Sequence, residues 1–270
     1  RDRKRGNKVD NNKTQYYDEY SDDFVTSAKQ DFKLKDNYKW LDKSIFYKII
    51  SRILYFFAYI FAVIYCKLIL RVTFKNKEIL KKQEGYYLFG NHTQPIGDAL
   101  IPLLATTPKK NYCVVSTANL GIPILGKILP FVGALPIPNK IHEKKNLFNA
   151  MSLLVKKNVI TIYPEAHVWP WYTKIRPLPT SSFKFPIKDN VPSFCMTTTY
   201  QKSKFFKKPK ITVYFDGPFY PQEGQTAKEK AASLRDQIDN TMQERSQNST
   251  YEYVTVSYTH LRAHETPEHL

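Results

Sequence analysis

From residue 85 onward, short apolar runs alternate with stretches of helical periodicity, and this pattern restricts the fold more than any other feature of the chain. Tyr86–Phe89 is an apolar run too short for a buried helix; a loop and a helical stretch near Ala99–Leu104 follow it. Cys113–Val115 and Gly133–Ile137 read as further short strands, separated by a helix that Pro123 opens and Pro130 ends. Leu147, Phe148, Met151, Leu154 and Val155 recur at i, i+3, i+4 spacing and feed the strand Val159–Tyr163. Ile211–Phe215 alternates as a half-buried strand does. Thr226 and Glu229 form a capping box for the stripe Ala227, Ala231, Leu234, Ile238 and Met242. Strands separated by helices are joined by crossovers, which favours parallel pairing. The expected fold class is α/β: a mostly parallel mixed sheet flanked by helices.

Two other segments precede that domain. Residues 1–43 are rich in Lys, Asp, Asn and Tyr and poor in aliphatics, and they read as a charged flexible tail. The chain begins at Arg1, so it is expected to continue upstream. Residues 44–74 contain an uncharged apolar run, Ile53–Cys66, bounded by Arg52 and Lys67. The run is shorter than the roughly 20 residues of a spanning helix, and snorkelling by the flanking basic groups extends it. A membrane-associated helix is the expectation, with a buried core helix as the alternative. No small-residue cleavage site follows, so it does not read as a cleavable signal.

A formal charge of +17 draws the chain toward polyanions such as an anionic leaflet or phosphate-bearing substrates. Nucleic acid is not expected as a partner, because no helix-turn-helix, zinc-finger or RNA-binding aromatic signature accompanies the basic residues. Cys66, Cys113 and Cys195 are far apart and form no Cys-x-x-Cys, which argues against a disulfide framework or a metal site. Residues 255–270 need a separate reading. The run Val256–Thr266 resembles one reading frame of a transposase adapter, so the segment is expected to be a non-native tail, and His260, His264 and His269 are given no metal role.

The chemistry-bearing residues sit past two strands. Asn91-His92-Thr93-Gln94-Pro95-Ile96-Gly97-Asp98 follows Tyr86–Phe89, and Pro164-Glu165-Ala166-His167 follows Val159–Tyr163. A His with a carboxylate a few residues on suits a general base and its orienting partner. In an open α/β sheet, ligands gather beyond the carboxyl ends of the strands. Read alone, the pair is equally a loop His capping Asp98, and Glu165 equally an N-cap or surface ion pair.

In order and spacing, four blocks resemble the membrane-associated glycerolipid acyltransferases, the lysophosphatidate (1-acylglycerol-3-phosphate) acyltransferase-like family. The family signature runs Asn-His-x4-Asp, Gly-x-x-Phe-Ile-x-Arg, Phe-Pro-Glu-Gly-Thr and Val-Pro. The matching stretches are Asn91-His92 to Asp98, Gly133–Asn139, Tyr163–His167 and Val191-Pro192. The resemblance spans about residues 45–215 and implies a glycerol-3-phosphate acyltransferase-like fold preceded by a membrane-associated helix, with the acyltransferase domain over residues 75–254.

The departures from the signature matter. Five residues separate His92 from Asp98, and Gly97, able to take backbone angles other residues avoid, is expected to absorb the extra one. The arginine that the family uses for the acceptor phosphate falls on Asn139, with Lys140 beside it; lysine lacks the planar fork of arginine. Ala166 and His167 replace Gly-Thr, with Lys174 and Arg176 as stand-in cations from the next loop.

The resemblance implies that His92 deprotonates an acceptor hydroxyl, Asp98 orients the imidazole, and Pro164, Glu165, Asn139, Lys140, Lys174 and Arg176 bind substrate. Acyl-CoA or acyl carrier protein would be the donor substrate, with no cofactor and no metal, and a membrane lysolipid the acceptor. The setting it implies is a bacterial-type cytoplasmic membrane with the catalytic domain facing the cytoplasm. A non-phosphate alcohol acceptor and an inactive lipid-binding relative are the alternatives. Trp169-Pro170-Trp171-Tyr172 is read either as an acyl groove or headgroup-level cluster or as core; Phe205-Phe206-Lys207-Lys208 is read either as a bilayer contact or as a solvated hairpin turn.

Overall fold

A computed structural model of the chain describes residues 14–25, 31–222 and 226–259. In chain order its elements are β1 (Thr14–Tyr17), α1 (Ile45–Ile64), β2 (Thr73–Lys75), β3 (Tyr86–Gly90), α2 (Gly97–Thr106), β4 (Asn111–Val115), α3 (Leu125–Ile128), β5 (Ala134–Pro136), α4 (Ile141–Leu154), β6 (Val159–Ile162), α5 (Lys184–Asp189), β7 (Ser193–Gln201), β8 (Lys210–Phe219), α6 (Ala227–Ser246) and β9 (Thr255–Tyr258). Seven strands form one sheet in the order β2-β8-β7-β3-β6-β4-β5. All neighbouring pairs are parallel except β7 with β8, a hairpin, so the sheet is mixed and mostly parallel.

Strand alternation divides the core. In β3, Tyr86 and Leu88 face a cluster that includes Ala62, Cys66, Ile101 and Leu104 from α1, its continuation and α2. Tyr87 and Phe89 face the other cluster, with Met151 of α4 and Leu234, Ile238 and Met242 of α6. Both faces are covered, as parallel strands require. Each fully buried aliphatic side chain contributes about 1.5–3 kcal/mol. The Thr226–Glu229 capping box forms as spacing predicts, and the α6 stripe Ala231, Leu234, Ile238 and Met242 is buried, with Ala227 in the first turn exposed. Strand β7 carried no clear sequence signal. Its buried Thr197, Thr198 and Thr199 look polar, yet Thr199 satisfies its hydroxyl on the Thr212 carbonyl at 2.9 Å.

Helix α1 is capped by the Ser44 side chain on the Tyr47 amide and continues as a wider π-helical turn through Ile69. The 25 residues Ile45–Ile69 span about 37 Å and are long and apolar enough to cross a membrane. One face docks on the domain: Ser51 and Ala62 are buried, with Tyr55, Ala58 and Tyr59 packed between them. Polar ties line this face. Ser51 Oγ donates to the Phe131 carbonyl at 2.6 Å, Lys110 Nζ reaches Ser51 Oγ at 2.6 Å, and the Asn111 amide donates to the Tyr55 hydroxyl at 2.9 Å. Burial beneath the helix pushes the Lys110 ammonium down to about 8. The opposite face presents Phe46, Ile49, Ile53, Phe56, Phe57 and Phe61 to the outside.

Described parts of segment 1–43, expected as a flexible tail, make specific contacts with the domain. Trp40 is buried and donates its indole N–H to the Pro136 carbonyl at 2.9 Å. Asp22 offers its carbonyl to the Trp169 indole at 2.8 Å, and the Tyr17 ring lies 4.8 Å from that indole. A few aromatics set among charged residues leave no periodic pattern, yet each fills a surface pocket. Thr255–Tyr258, inside the segment expected to be non-native, pairs in parallel with Thr14–Tyr17. Residues 1–13 and the tail from His260 onward lie outside the described residues.

Candidate active site

Strands β3 and β6 are parallel neighbours with Phe89 opposite Ile162, so the segments that follow them leave the same end of the sheet side by side. This brings His92 and Glu165 together across 73 residues of sequence. His92 Nδ1 lies 2.7 Å from Asp98 Oδ2, and the same oxygen accepts the Gln94 amide at 2.9 Å. Asp98 is the second residue of α2, where a carboxylate also meets the positive end of the helix dipole. Burial pushes its carboxyl above the usual range, opposed by the hydrogen bond and charge of His92 and by the Gln94 and Thr93 amides. The imidazole stacks on Tyr163, ring centroids 4.5 Å apart, and its side chain remains 19% exposed. With Nδ1 donating to Asp98, Nε2 keeps its lone pair and has no partner among the described residues.

The loop around the dyad is tied on several sides. Asn91 exchanges two hydrogen bonds with the Thr198 backbone of β7, at 3.1 and 2.8 Å. Gln94 Nε2 donates to the Tyr200 hydroxyl at 2.9 Å, and Thr93 meets the same hydroxyl. The loop after β6 clasps the His92 loop, the Trp169 and Trp171 amides donating to the carbonyls of His92 and Thr93, both at 3.0 Å. Asn91, Tyr163 and Tyr200 are site residues that sequence reasoning did not assign. Tyr163 could have been found, since it fills the aromatic slot ahead of Pro-Glu. Tyr200 lies in the unrecognised strand and gave no signal.

The remaining expected residues divide into two groups. Pro164 is buried and sets the turn that carries Glu165. Glu165 has no oxygen free for substrate: Oε2 accepts the His92 amide and Arg176 Nη2, each at 2.9 Å, and Oε1 accepts the Arg176 amide at 2.9 Å. Arg176 is 1% exposed and stacks on the Trp169 ring at 4.5 Å. The guanidinium faces Glu165 inside the protein rather than the exterior where an acceptor phosphate was expected, and Glu165 ties the His92 loop to the Arg176 segment. Asn139 and Lys140 follow β5, which stands three strand spacings, roughly 14 Å, from β3. Both are exposed, and Lys140 pairs with Asp36 across the surface. Lys174 is exposed. The site assembles His92, Asp98, Pro164 and Glu165 and leaves Asn139 and Lys140 at the sheet edge.

Three further expectations change. Gly97 is not at a positive φ but opens α2, directly after the turn at Pro95-Ile96. Gly97 instead lacks room for a side chain, since a Cβ would come within 2.8 Å of Gln94 Cβ and 3.0 Å of a Leu70 methyl. The aromatic cluster after Glu165 takes the core reading for Trp169 and Tyr172, both buried, and Trp171 packs on Tyr200 and Tyr253. Ala166 sits at φ 64°, in the slot where the family signature has glycine.

The fold and this loop pair define a class: an α/β domain with a His–Asp dyad at the carboxyl end of a mostly parallel sheet, flanked by an apolar helix. No family model and no curated protein matches the sequence. Among solved structures, the chain is similar to the 1-acyl-sn-glycerophosphate (LPA) acyltransferase PlsC from Thermotoga maritima. The TM-score is 0.55 at 13% identity, over 76% of this chain and 84% of that one. The likeness is one of fold.

Proposed function

We propose that this protein is a membrane-associated O-acyltransferase. It moves a fatty acyl group from an acyl thioester, acyl-CoA or acyl carrier protein, to the hydroxyl of a lysophospholipid resembling 1-acylglycerol 3-phosphate. The observation that carries the reading is the 2.7 Å contact between His92 Nδ1 and Asp98 Oδ2, with Nε2 left open. Nε2 takes the proton of the acceptor hydroxyl as its oxygen attacks the thioester carbonyl; the C–S bond then breaks, and the leaving thiolate takes that proton from the imidazolium to depart as the thiol. Asp98 holds the productive tautomer and stabilises the imidazolium that forms. The alcohol itself is the nucleophile, so no acyl-enzyme forms, and the protein's task is positioning and charge stabilisation.

The lipid setting rests on α1. Its outward face is apolar and its inward face is tied to Lys110, Asn111 and Phe131. A crossing helix would carry the Lys110 ammonium, bonded to Ser51 about 9 Å along α1, below the headgroups, where a charge is costly. Embedding in one leaflet, with α1 along the surface, avoids that cost.

The test is thiol release from acyl-CoA or acyl carrier protein on vesicles carrying lysolipid acceptors. His92→Ala is expected to lower turnover by about 10³-fold or more while vesicle binding persists. Equal thiol release by variant and wild type would refute the proposal. A second acceptor class, a neutral alcohol, is favoured by Asn139 in the arginine slot and by the burial of Arg176. Turnover with 1-acylglycerol but none with its 3-phosphate would select it.

A further inference from the structure

Where α1 and its π-helical continuation end, the chain turns through Arg71, and here the hairpin joining β7 to β8 rests against it. Arg71 Nη1 donates to Ser203 Oγ at 3.1 Å, and Nη2 donates to the Lys208 and Pro209 carbonyls at 2.8 and 3.3 Å. Its guanidinium also lies 3.9 Å from the Phe206 ring centroid. The hairpin is thus fixed to the end of the apolar helix and does not wave freely. Between them opens a groove of about 620 Å³, lined by Lys67, Arg71, Lys202, Lys204 and Lys210 with no carboxylate. Arg71 and Lys67 spend their hydrogen bonds on the chain itself. Lys202, Lys204 and Lys210 are exposed and have no carboxylate partner among the described residues.

Charge alone would attract many polyanions. The apolar residues around the groove narrow the partner. Phe205 at the hairpin tip is 89% exposed, and Leu68, on the last turn before Arg71, is 73% exposed. Leu68 continues the outward apolar face of α1 directly to the groove. Lysines beside protruding apolar side chains match the layered chemistry of a bilayer surface, with anionic headgroups above hydrocarbon.

We propose that the groove and hairpin form a docking surface for anionic membrane lipid, with phosphate headgroups among Lys202, Lys204 and Lys210 and Phe205 inserted beside them. The proposal rests on the membrane reading of α1 and adds a lipid-charge preference to it. None of the three lysines is bonded to His92 or Asp98, so vesicle binding and acyl transfer are read as separate quantities.

The experiment is co-flotation of the full chain with vesicles of pure phosphatidylcholine and of phosphatidylcholine with about 30% phosphatidylglycerol. Wild type is expected to bind the anionic vesicles more tightly, with the advantage falling as salt rises. The triple variant Lys202→Gln, Lys204→Gln, Lys210→Gln should lose on the order of 100-fold in affinity for anionic vesicles and nothing on neutral ones. Phe205→Ser, at an exposed tip that bears no fold contacts, should lose roughly tenfold on both. Equal wild-type binding to both vesicles, or a triple variant that matches wild type, would overturn the proposal. Capture of an acidic acyl carrier protein by these lysines, with lipid charge making no difference, would overturn it by assigning the groove to the acyl donor. Because binding is read without turnover, inactivity of the enzyme would leave this result standing, and lipid-indifferent binding would leave the His92 result standing.

Discussion

The ends of β3 and β5 open on the same side of one sheet, yet they are built differently. Past β3, Asp98, Glu165, Thr198 and Tyr200 fix the His92 loop from four directions and leave only the imidazole Nε2 open among the described residues. Past β5, Asn139 and Lys140 stand exposed, and the one ion pair there joins two surface side chains. A base must be held to a fraction of an ångström, so its surroundings are buried and satisfied. A group that greets a large, mobile lipid headgroup tolerates a looser setting. Under the proposed function, reaction chemistry belongs to the buried end of β3 and acceptor preference to the exposed edge past β5.

The largest effect expected from breaking this contrast comes from Glu165→Ala. It strands the Arg176 guanidinium, 1% exposed, without its counter-charge and frees the His92 amide. Loss of one partner of a buried pair costs about 3–5 kcal/mol, measured by denaturant unfolding. Turnover should fall as well, because the loop that aims His92 loosens. Glu165→Gln combined with Arg176→Met should recover part of the stability: no bare charge remains and the amide carbonyl can accept from the His92 N–H, while the amide nitrogen is left facing the backbone N–H of residue 176. A Glu165→Ala protein as stable as wild type would mean that the tie is ornamental.

That tie marks where sequence reading stopped. The strands after which the chemistry sits, the α6 stripe and the His92–Asp98 spacing were legible because each is a local pattern of period two, period 3.6 or fixed separation. Arg176 was expected at the acceptor phosphate, and nothing local distinguishes an arginine that turns inward from one that turns out. Only the loop path after Pro164, closed by the Trp169 and Trp171 amides, decides it. Strand β7 was missed for a related reason. Three threonines in a row give no alternation of apolar and polar residues, yet all three are buried in β7, where the Thr199 hydroxyl donates to a carbonyl. Trp40 was hidden by charged neighbours whose side chains stay in solvent.

A smaller effect tests how far the His92 side is already optimised. Ala166 holds a left-handed backbone, φ 64°, which costs a non-glycine residue about 1 kcal/mol. Its side chain is exposed, so glycine removes the strain without opening a cavity. Ala166→Gly should therefore raise stability by up to about 1 kcal/mol, with turnover unchanged, in paired denaturant titrations. A decrease would show that the turn is held by its neighbours so firmly that the gain in unfolded-chain entropy dominates.

The smallest effect belongs to the edge. Lys140→Ala removes a surface partner of Asp36, and an exposed pair of this kind leaves the unfolding midpoint where it was. Its consequence should appear in the acceptor alone. If a phosphate rests near the end of β5, KM for 1-acylglycerol 3-phosphate rises no more than about fivefold, with kcat and the KM for 1-acylglycerol unchanged. A kcat loss comparable to that of His92→Ala would erase the distinction between the two sheet ends, because it would place Lys140 in the reacting geometry. Equal KM values for both acceptors in variant and wild type would instead strengthen the case for a neutral alcohol, since the nearest cation to the vacant arginine slot would then take no part in recognition.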